Sequence, residues 1–466
     1  MNRYKKLIKN TVLITVGNFA SKLLTFFLLP LYTAILTTAE YGVADLMTTT
    51  VNLITPFFTL IISEAVMRFA LDKECDKKQV LSIGLFVTLL GSVVMLVFSP
   101  LIRFSSDLKP YYVLFLLCYF VTAVHTILSQ FVKGIEKVTV YASSGVLHTM
   151  TFIAFNILFL VVLKIGINGY LLSMVLSNLI TILYLFLGAK LWQYIVPPKE
   201  ISRELTRKML QYSVPMIPNS LSWWVSNSSD KYMLTFFCGV AATGVYSVSQ
   251  RIPSLFATIS TIFISSWQIS AIDDFGSKES IDFYSRIYRI YSTFNILALS
   301  GLILLTKPLA KFLFSKSFFD GWQFVPVLLM AFLFQAMSSY LGTIYTSAKK
   351  TKMLFISTII AAMANIVLNA ILIPAFGEQG AAIATFASYF IIWLIRLIDT
   401  RKIIKLQIAY RTDIISYSLL AAQICIVVSD SSFMYFGSCV IFVLLAILNF
   451  SEIKDILVKF RTGKQH

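Results

Sequence analysis

Charged residues are scarce in this chain, and their scarcity excludes a soluble domain of this length. Asp, Glu, Lys and Arg make up only 13% of the 466 residues, whereas hydrophobic residues make up 58%. A helix needs about 20 mostly apolar residues to cross a bilayer, and runs of that kind recur along the whole chain. The apolar runs do not alternate with polar residues, as they would in a membrane β-barrel. The composition therefore predicts an all-α polytopic membrane protein.

Cysteine and histidine are too few and too dispersed to indicate a disulfide framework, a metal site or a cofactor. The five cysteines form no C-x-x-C pair, and there are only three histidines. His125 and His148 fall in the fourth and fifth predicted spans, where hydrogen-bonded packing is favoured over proton relay. Domain-sized polar loops are also missing, since the longest are Lys190–Lys208 and Asp273–Arg289. Polytopic polymerases and glycosyltransferases are thereby disfavoured, and no enzymatic activity is predicted.

Hydropathy predicts about fourteen transmembrane helices. Most of the 39 lysine and arginine residues fall in alternate loops, which places both termini in the cytoplasm by the positive-inside rule. This distribution explains the net charge of +17 without nucleic acid. The basic N-terminus leads into an apolar run too long for a signal peptide, so it is expected to be retained. The predicted spans are 10–36, 41–70, 79–102, 111–132, 140–163, 168–189, 209–238, 242–272, 287–306, 323–347, 353–373, 379–398, 412–428 and 433–450.

A weak internal repeat predicts two lobes. The segment "AEYGVADLMTTTVNL" (Ala39–Leu53) aligns without a gap on "AATGVYSVSQRIPSL" (Ala241–Leu255). Residues 1–200 would form an N-lobe of spans 1–6, and residues 201–405 a C-lobe of spans 7–12. Residues 406–466 would add spans 13 and 14 and a cytoplasmic tail. Parallel repeats of this kind build transporters that hold substrate between their lobes.

Ionisable residues deep within the predicted spans occur only in spans 1, 2, 7 and 8. They mark a polar cavity, because charge at membrane depth is costly and usually functional. Polar residues at helical spacing accompany them, and the cavity candidates are Lys22, Arg251, Asp230, Lys231, Arg68, Asn18, Asp45 and Asn219. Serine and threonine alone would equally suit helix packing.

Spacing separates the roles of these charges. Glu64 and Arg68 stand four residues apart and predict a structural salt bridge within one helix. Asp230 and Lys231 point about 100° apart, so one of them is expected to reach another helix. Lys22 and Arg251 have no obvious partner in their own helix and are the candidates for holding an anionic group. Arg396 lies near the end of span 12 and is expected to extend to the membrane interface.

Four segments resemble the polysaccharide transporter (Wzx-type) flippases of the multidrug/oligosaccharidyl-lipid/polysaccharide (MOP) exporter superfamily. The segment Pro215–Ser247 is the most specific, and the resemblance extends over essentially the whole chain. The other three segments are "LPLYTAILTTAEYG" (Leu29–Gly42), "EAVMRFALD" (Glu64–Asp72) and "SSWQISAIDDF" (Ser265–Phe275).

The resemblance implies two six-helix lobes plus two helices, with no enzymatic activity. It implies a flippase that carries undecaprenyl-diphosphate-linked oligosaccharide units from the inner to the outer leaflet of the bacterial cytoplasmic membrane. Capsule, O-antigen or exopolysaccharide assembly would be the purpose, with the lipid-linked oligosaccharide, the bilayer and the polymerase and export machinery as partners. An acidic–basic pair is implied at Asp230 and Lys231, and cationic cavity residues at Lys22 and Arg251. A multidrug exporter and a lipid II exporter of the same superfamily are the alternatives.

Overall fold

The chain is helical throughout its described length. The computed structural model describes residues 22–276 and 280–450, and within them six helical side chains lie outside the description: Asn219, Ser222, Trp223, Ser226, Asn227 and Ile269. No β-strand occurs in these two ranges. The chain divides into two compact units, Met1–Tyr232 and Met233–His466. The lobe boundaries at residues 200 and 405 stay a prediction.

The described residues of the first unit form eight α-helices and most of a ninth. In chain order they are α1 Leu29–Ile35, α2 Thr38–Phe58, α3 Ile62–Leu71, α4 Lys77–Phe98, α5 Tyr112–Gly134, α6 Val138–Asn156, α7 Gly166–Gly188, α8 Arg203–Ser213 and α9 Ile217–Cys238. The second unit contains the end of α9 and then α10 Val240–Ser249, α11 Arg251–Asp274, α12 Ser280–Leu304, α13 Thr306–Leu313, α14 Val325–Ser347, α15 Lys352–Asp399, α16 Tyr410–Val428 and α17 Met434–Leu448.

The structure confirms an all-helical polytopic membrane protein. Among the described residues, nine helices are long and apolar enough to cross a membrane, or ten if the bent pair α2 and α3 counts as one span. Three shorter apolar helices, Lys22–Ile35, Val240–Ser249 and Met434–Leu448, add to them. Two predicted spans, 353–373 and 379–398, fall within α15, whose backbone leaves helical geometry at Gly377. The total of fourteen spans stays a prediction.

The second predicted span is broken rather than continuous. Helices α2 and α3 meet at an angle of 62°. Leu60 and Ile61 adopt left-handed backbone angles at the break, with φ of 53° and 49°. Pro56 lies just before it and lacks the N–H that would continue the helix. The Ile61 N–H donates to the Pro56 carbonyl at 3.0 Å, so this carbonyl has a local partner at the break.

The core of the first unit gathers around α3. Ile62 and Val66 of α3 are fully buried against α4, α5 and α8. Gly91 lets α4 approach the end of α2, because a Cβ at this position would lie 2.0 Å from the Phe58 carbonyl oxygen. Small residues at such contacts are a common device of membrane helices.

Arg396 contradicts the expectation that it extends to the interface. Its side chain is only 6% exposed. The guanidinium donates to the Ser338 carbonyl of α14 at 3.0 Å, to Ser357 Oγ at 3.1 Å and to Thr358 Oγ1 at 3.0 Å. Ser357 and Thr358 precede the Gly377 break and Arg396 follows it, so the fork joins both segments of α15 to α14. The planar guanidinium carries enough N–H donors to bond to both helices at once. These hydrogen bonds compensate for the burial of its charge.

Substitution of Gly91 tests the contact between α4 and α2. Gly91→Ala should destabilise the protein by about 1–3 kcal/mol, because the added methyl group has no space beside the Phe58 carbonyl. Gly145→Ala in α6 is the matched control, since nothing lies within 4 Å of its Cβ position. Thermal denaturation of the detergent-purified variants would show a lower Tm for Gly91→Ala alone. Equal Tm values for the two variants would contradict the assignment.

Candidate functional site

An ion pair links α2 to α9 within the first unit. Lys231 Nζ lies 2.7 Å from Asp45 Oδ2. The side chains are only 14% and 10% exposed, so the pair is largely shielded from solvent. The structure confirms that one member of the Asp230–Lys231 pair reaches another helix, and it is Lys231. A shielded ion pair repays its desolvation only with good geometry and further hydrogen bonds.

Aromatic and hydroxyl groups surround this ion pair. The Trp224 indole N–H donates to the Thr49 carbonyl at 3.2 Å, and the Tyr232 hydroxyl lies 2.5 Å from Thr50 Oγ1. The Trp224 and Tyr232 rings contact each other with centroids 5.2 Å apart. These contacts extend the junction between α2 and α9 over several turns, so Asp45 and Lys231 are held by packing as well as by charge.

Asp230 lies beside Lys231 but is turned into the protein. Its side chain is 4% exposed, and Oδ1 accepts a hydrogen bond from the Lys231 backbone N–H at 2.9 Å. The two neighbouring charges therefore have different environments, as their angular separation on a helix requires.

Arg251 begins a polar stripe on the exposed side of α11. Phe256 and Trp267, on the other side of α11, are buried in the second unit. The Trp267 indole N–H donates to Thr343 Oγ1 at 3.0 Å, which fixes the rotation of the helix against α14. The stripe consists of residues that are exposed or half-buried, namely Arg251, Ser254, Thr258, Thr261 and Ser265.

The hydroxyl groups of the stripe are satisfied by their own helix. Thr258 Oγ1 donates to the Ser254 carbonyl at 2.9 Å, and Ser265 Oγ donates to the Thr261 carbonyl at 2.8 Å. Each hydroxyl oxygen keeps lone pairs that a ligand hydroxyl or water could use. The stripe is thus an exposed polar face on a helix whose packed side contains Phe256 and Trp267.

The remaining predicted site residues fall into different surroundings. Lys22 has an exposed side chain, and its carbonyl accepts a hydrogen bond from Thr25 Oγ1 at 3.0 Å. Arg68 lies on the exposed face of α3. Asn18 and the side chain of Asn219 lie outside the described residues.

The predicted salt bridge between Glu64 and Arg68 is not formed in the part of the chain that the structure describes. Glu64 Oε1 instead accepts a hydrogen bond from Gln130 Nε2 at 3.3 Å, across to α5. Glu64 is half-buried and Arg68 is exposed. The Gln130 side-chain amide of α5 is therefore the partner of Glu64, in place of the Arg68 guanidinium that helical spacing predicts.

His125 and His148 form a stacked pair in the first unit. Their ring centroids are 5.8 Å apart with an interplanar angle of 21°, and His148 Nε2 lies 3.5 Å from Ser177 Oγ. The contact joins α5 to α6 and α7. Packing and proton relay both stay predictions for this pair.

Sequence reasoning missed Trp224 and Tyr232 as part of the site. They follow helical spacing on α9, eight residues apart, but aromatic residues occur on many faces of this chain. What distinguishes Trp224 and Tyr232 from the other aromatic residues of the chain is their contact with α2 beside the ion pair. A scan for aromatic residues within two turns of a buried charge would have found both.

The Asp45–Lys231 pair predicts strong energetic coupling. Asp45→Asn or Lys231→Met alone should cost about 3–5 kcal/mol, because each leaves one shielded charge without its partner. The double variant should cost less than the sum of the two, with a coupling of about 0.5–3 kcal/mol. Thermal denaturation of the four proteins measures this cycle.

An exposed ion pair of α8 provides the control. Lys208 and Glu204 lie 2.7 Å apart with side chains that are 59% and 79% exposed. Glu204→Gln and Lys208→Met should change stability by no more than about 0.5 kcal/mol. Additive effects at Asp45 and Lys231 would show that their ion pair does not hold α2 against α9.

Known proteins share the sequence pattern and the fold. Residues 7–269 match the family described as "Polysaccharide biosynthesis protein". The uncharacterized membrane protein MJ1375 of Methanocaldococcus jannaschii is 23% identical over 418 residues, which cover 86% of this chain and 99% of that protein.

Solved structures with the same fold come from two kinds of transporter. The lipid II flippase MurJ in an inward closed conformation has a TM-score of 0.71 at 16% identity, covering 96% of this chain and 100% of that one. An inward-facing multidrug resistance MATE family transporter of the MOP superfamily has a TM-score of 0.67 at 14% identity, covering 83% and 94%. The likeness establishes the fold, and the match over residues 7–269 establishes the family: the chain is a multi-pass membrane protein of the polysaccharide biosynthesis protein family with the fold of MOP-superfamily transporters.

Proposed function

We propose that this protein is a flippase for undecaprenyl-diphosphate-linked oligosaccharide units. It moves them from the inner to the outer leaflet of a bacterial cytoplasmic membrane, for assembly of capsule, O-antigen or exopolysaccharide. Membership of the polysaccharide biosynthesis protein family supports the substrate class, and the fold supports transport in place of a covalent reaction. A polysaccharide polymerase and export machinery would receive the product.

The exposed polar face of α11 is the observation that carries the proposal. A charge turned outward on a membrane helix is costly against lipid and usually functional, and the serine and threonine oxygens of this face keep lone pairs that a polar ligand can use. Arg251 supplies a positive charge at the beginning of this face, and hydroxyl groups follow it for about four turns. A diphosphate followed by sugars has the matching order of chemical groups.

The proposed roles follow from charge. Arg251 and Lys22 bind the diphosphate, because cationic donors form strong hydrogen bonds with phosphate oxygens. Serine, threonine and asparagine residues of the predicted cavity accommodate sugar hydroxyls. Asp45, Asp230 and Lys231, with Asn18, Asn219 and Arg68, complete the set of cavity candidates. The two lobes would open alternately to either side of the membrane around this set.

A lipid II exporter is the second candidate. The MurJ fold covers 96% of this chain, and MurJ is named as a lipid II flippase. Lipid II also combines an isoprenoid diphosphate with a sugar headgroup, so the same cationic residues would serve it. A multidrug exporter fits the exposed Arg251 less well, because that charge repels cations.

Leaflet transfer in proteoliposomes tests the proposal. The purified protein should move a fluorescent undecaprenyl-diphosphate oligosaccharide between leaflets faster than in protein-free vesicles. Lys22→Ala and Arg251→Ala should each slow transfer about tenfold or more, because each removes a charge-assisted contact to the diphosphate. Lys350→Ala is the control, since this exposed lysine lies outside the helices.

Other substrates in the same vesicles separate the candidates. Transfer of lipid II in preference to the oligosaccharide would select the second candidate. Efflux of a cationic dye without transfer of either lipid would replace both with multidrug export. Unchanged transfer by well-folded Lys22→Ala and Arg251→Ala proteins would remove those residues from the site while leaving the flippase function in place.

A further inference from the structure

A cavity on the first unit is lined by residues other than the cavity candidates. It has a volume of about 780 Å³ and lies between α4 and the segment 198–215, which contains α8. Ligand-binding pockets in proteins commonly have volumes of about 300–1,000 Å³, so the space suffices for a sizeable molecule.

The segment that forms one wall is firmly attached to α4. The Gln79 side-chain amide donates to the Glu200 carbonyl and accepts from the Ser202 backbone N–H, both at 2.9 Å. Ser82 Oγ accepts from the Val196 backbone N–H at 2.8 Å. These bonds span more than 110 residues of sequence, so the wall is built by tertiary contacts and does not depend on a ligand for its position.

Helix α8 turns its apolar side inward and its basic side to the cavity. Ser202 caps the helix by accepting from the Leu205 N–H at 3.2 Å, and Met209 is fully buried in the core. Arg203 and Arg207 stand four residues apart, are exposed, and line the cavity. An amphipathic helix with arginine on its polar side lies naturally in the membrane interface.

Apolar residues line the cavity on both walls, and on the α4 side the apolar surface continues along the helix. Phe86 lines the cavity together with Ile201 and Leu210. Beyond Phe86, Leu89 and Val93 of α4 are about half exposed on a helix that can cross the membrane. An acyl chain could therefore run from the cavity along a surface that already suits hydrocarbon.

We propose that this cavity binds an anionic phospholipid of the surrounding bilayer, with its phosphate on Arg203 and Arg207 and an acyl chain on Phe86. Guanidinium groups are well suited to phosphate oxygens, and anionic lipid headgroups attract basic residues at the surface. The apolar residues of the lining favour a lipid over a free phosphate ion, which would leave the exposed Phe86 side chain uncovered. The distribution of lysine and arginine assigns this loop to the cytoplasmic leaflet, where anionic headgroups are available.

Lys208 provides a matched control on the same helix. It carries the same charge as Arg207 but is not part of the cavity lining, and its ammonium group pairs with Glu204. Its replacement changes the net charge of α8 by one unit without changing the proposed site.

Lipid titration of the detergent-purified full-length protein, followed by native mass spectrometry, tests the site. Phosphatidylglycerol should bind more tightly than phosphatidylcholine. Each basic residue near an anionic lipid contributes about fivefold to binding, so Arg203→Gln/Arg207→Gln together should weaken phosphatidylglycerol binding ~25-fold. Lys208→Gln should change it less than twofold. Phe86→Ala should weaken binding of long-chain phosphatidylglycerol more than that of a short-chain form.

Each other outcome overturns the proposal. Equal losses for Lys208→Gln and Arg207→Gln would indicate general surface attraction. Displacement of the lipid by inorganic phosphate at equal concentration would indicate a simple anion site. Unchanged binding by an Arg203→Gln/Arg207→Gln protein with wild-type Tm would show that the lipid lies elsewhere.

Discussion

Hydrocarbon offers no hydrogen bonds, so the described polar side chains mostly bond to partners within the protein. Hydroxyl groups mostly donate to their own helix, as Thr55 and Thr59 do along α2. The Gln423 amide bonds between helices: this side chain of α16 accepts from Ser300 of α12 and donates to Ser438 of α17. The polar face of α11 stands apart, because it is turned outward while the apolar side of the same helix is packed. In this protein, the direction in which polar residues face therefore indicates a ligand site better than their number does.

Two buried cations show contrasting solutions to the same problem. Lys231 is a compact charge and is neutralised by one carboxylate, Asp45, on another helix. Arg396 has several donors and is satisfied by carbonyl and hydroxyl oxygens from α14 and from the first segment of α15. The first arrangement matches charge with charge, whereas the second distributes one charge over several neutral oxygens. Arg396 therefore has the character of an architectural residue, whereas the ion pair joins helices that carry the candidate site.

Hydropathy sufficed to predict the class of fold, because burial in lipid leaves a long apolar signature in every span. It could not predict breaks within spans, since the angle between α2 and α3 depends on the positive φ values of Leu60 and Ile61 and on tertiary contacts. Angular separation on a helix was enough to show that Asp230 and Lys231 diverge, but not which residue Lys231 would meet. Arg396 was misjudged because its oxygen partners are common residues whose positions only the fold determines. The cavity beside α8 combines residues from distant parts of the chain, so no local pattern revealed it.

The break between α2 and α3 has a mechanical consequence. Its backbone hydrogen bonds are local, from Thr59, Leu60 and Ile61 to carbonyls within five residues. Helix α3 is embedded in the core of the first unit, whereas α2 is tied to α9 through Asp45. Both helices of this bent pair contact α4, but α2 is also bonded to α9, and among the described residues the break has only local backbone hydrogen bonds. A rotation of α9 would therefore move α2 through the Asp45–Lys231 ion pair. The backbone at the break would change its angle, and α3 would keep its packing in the core.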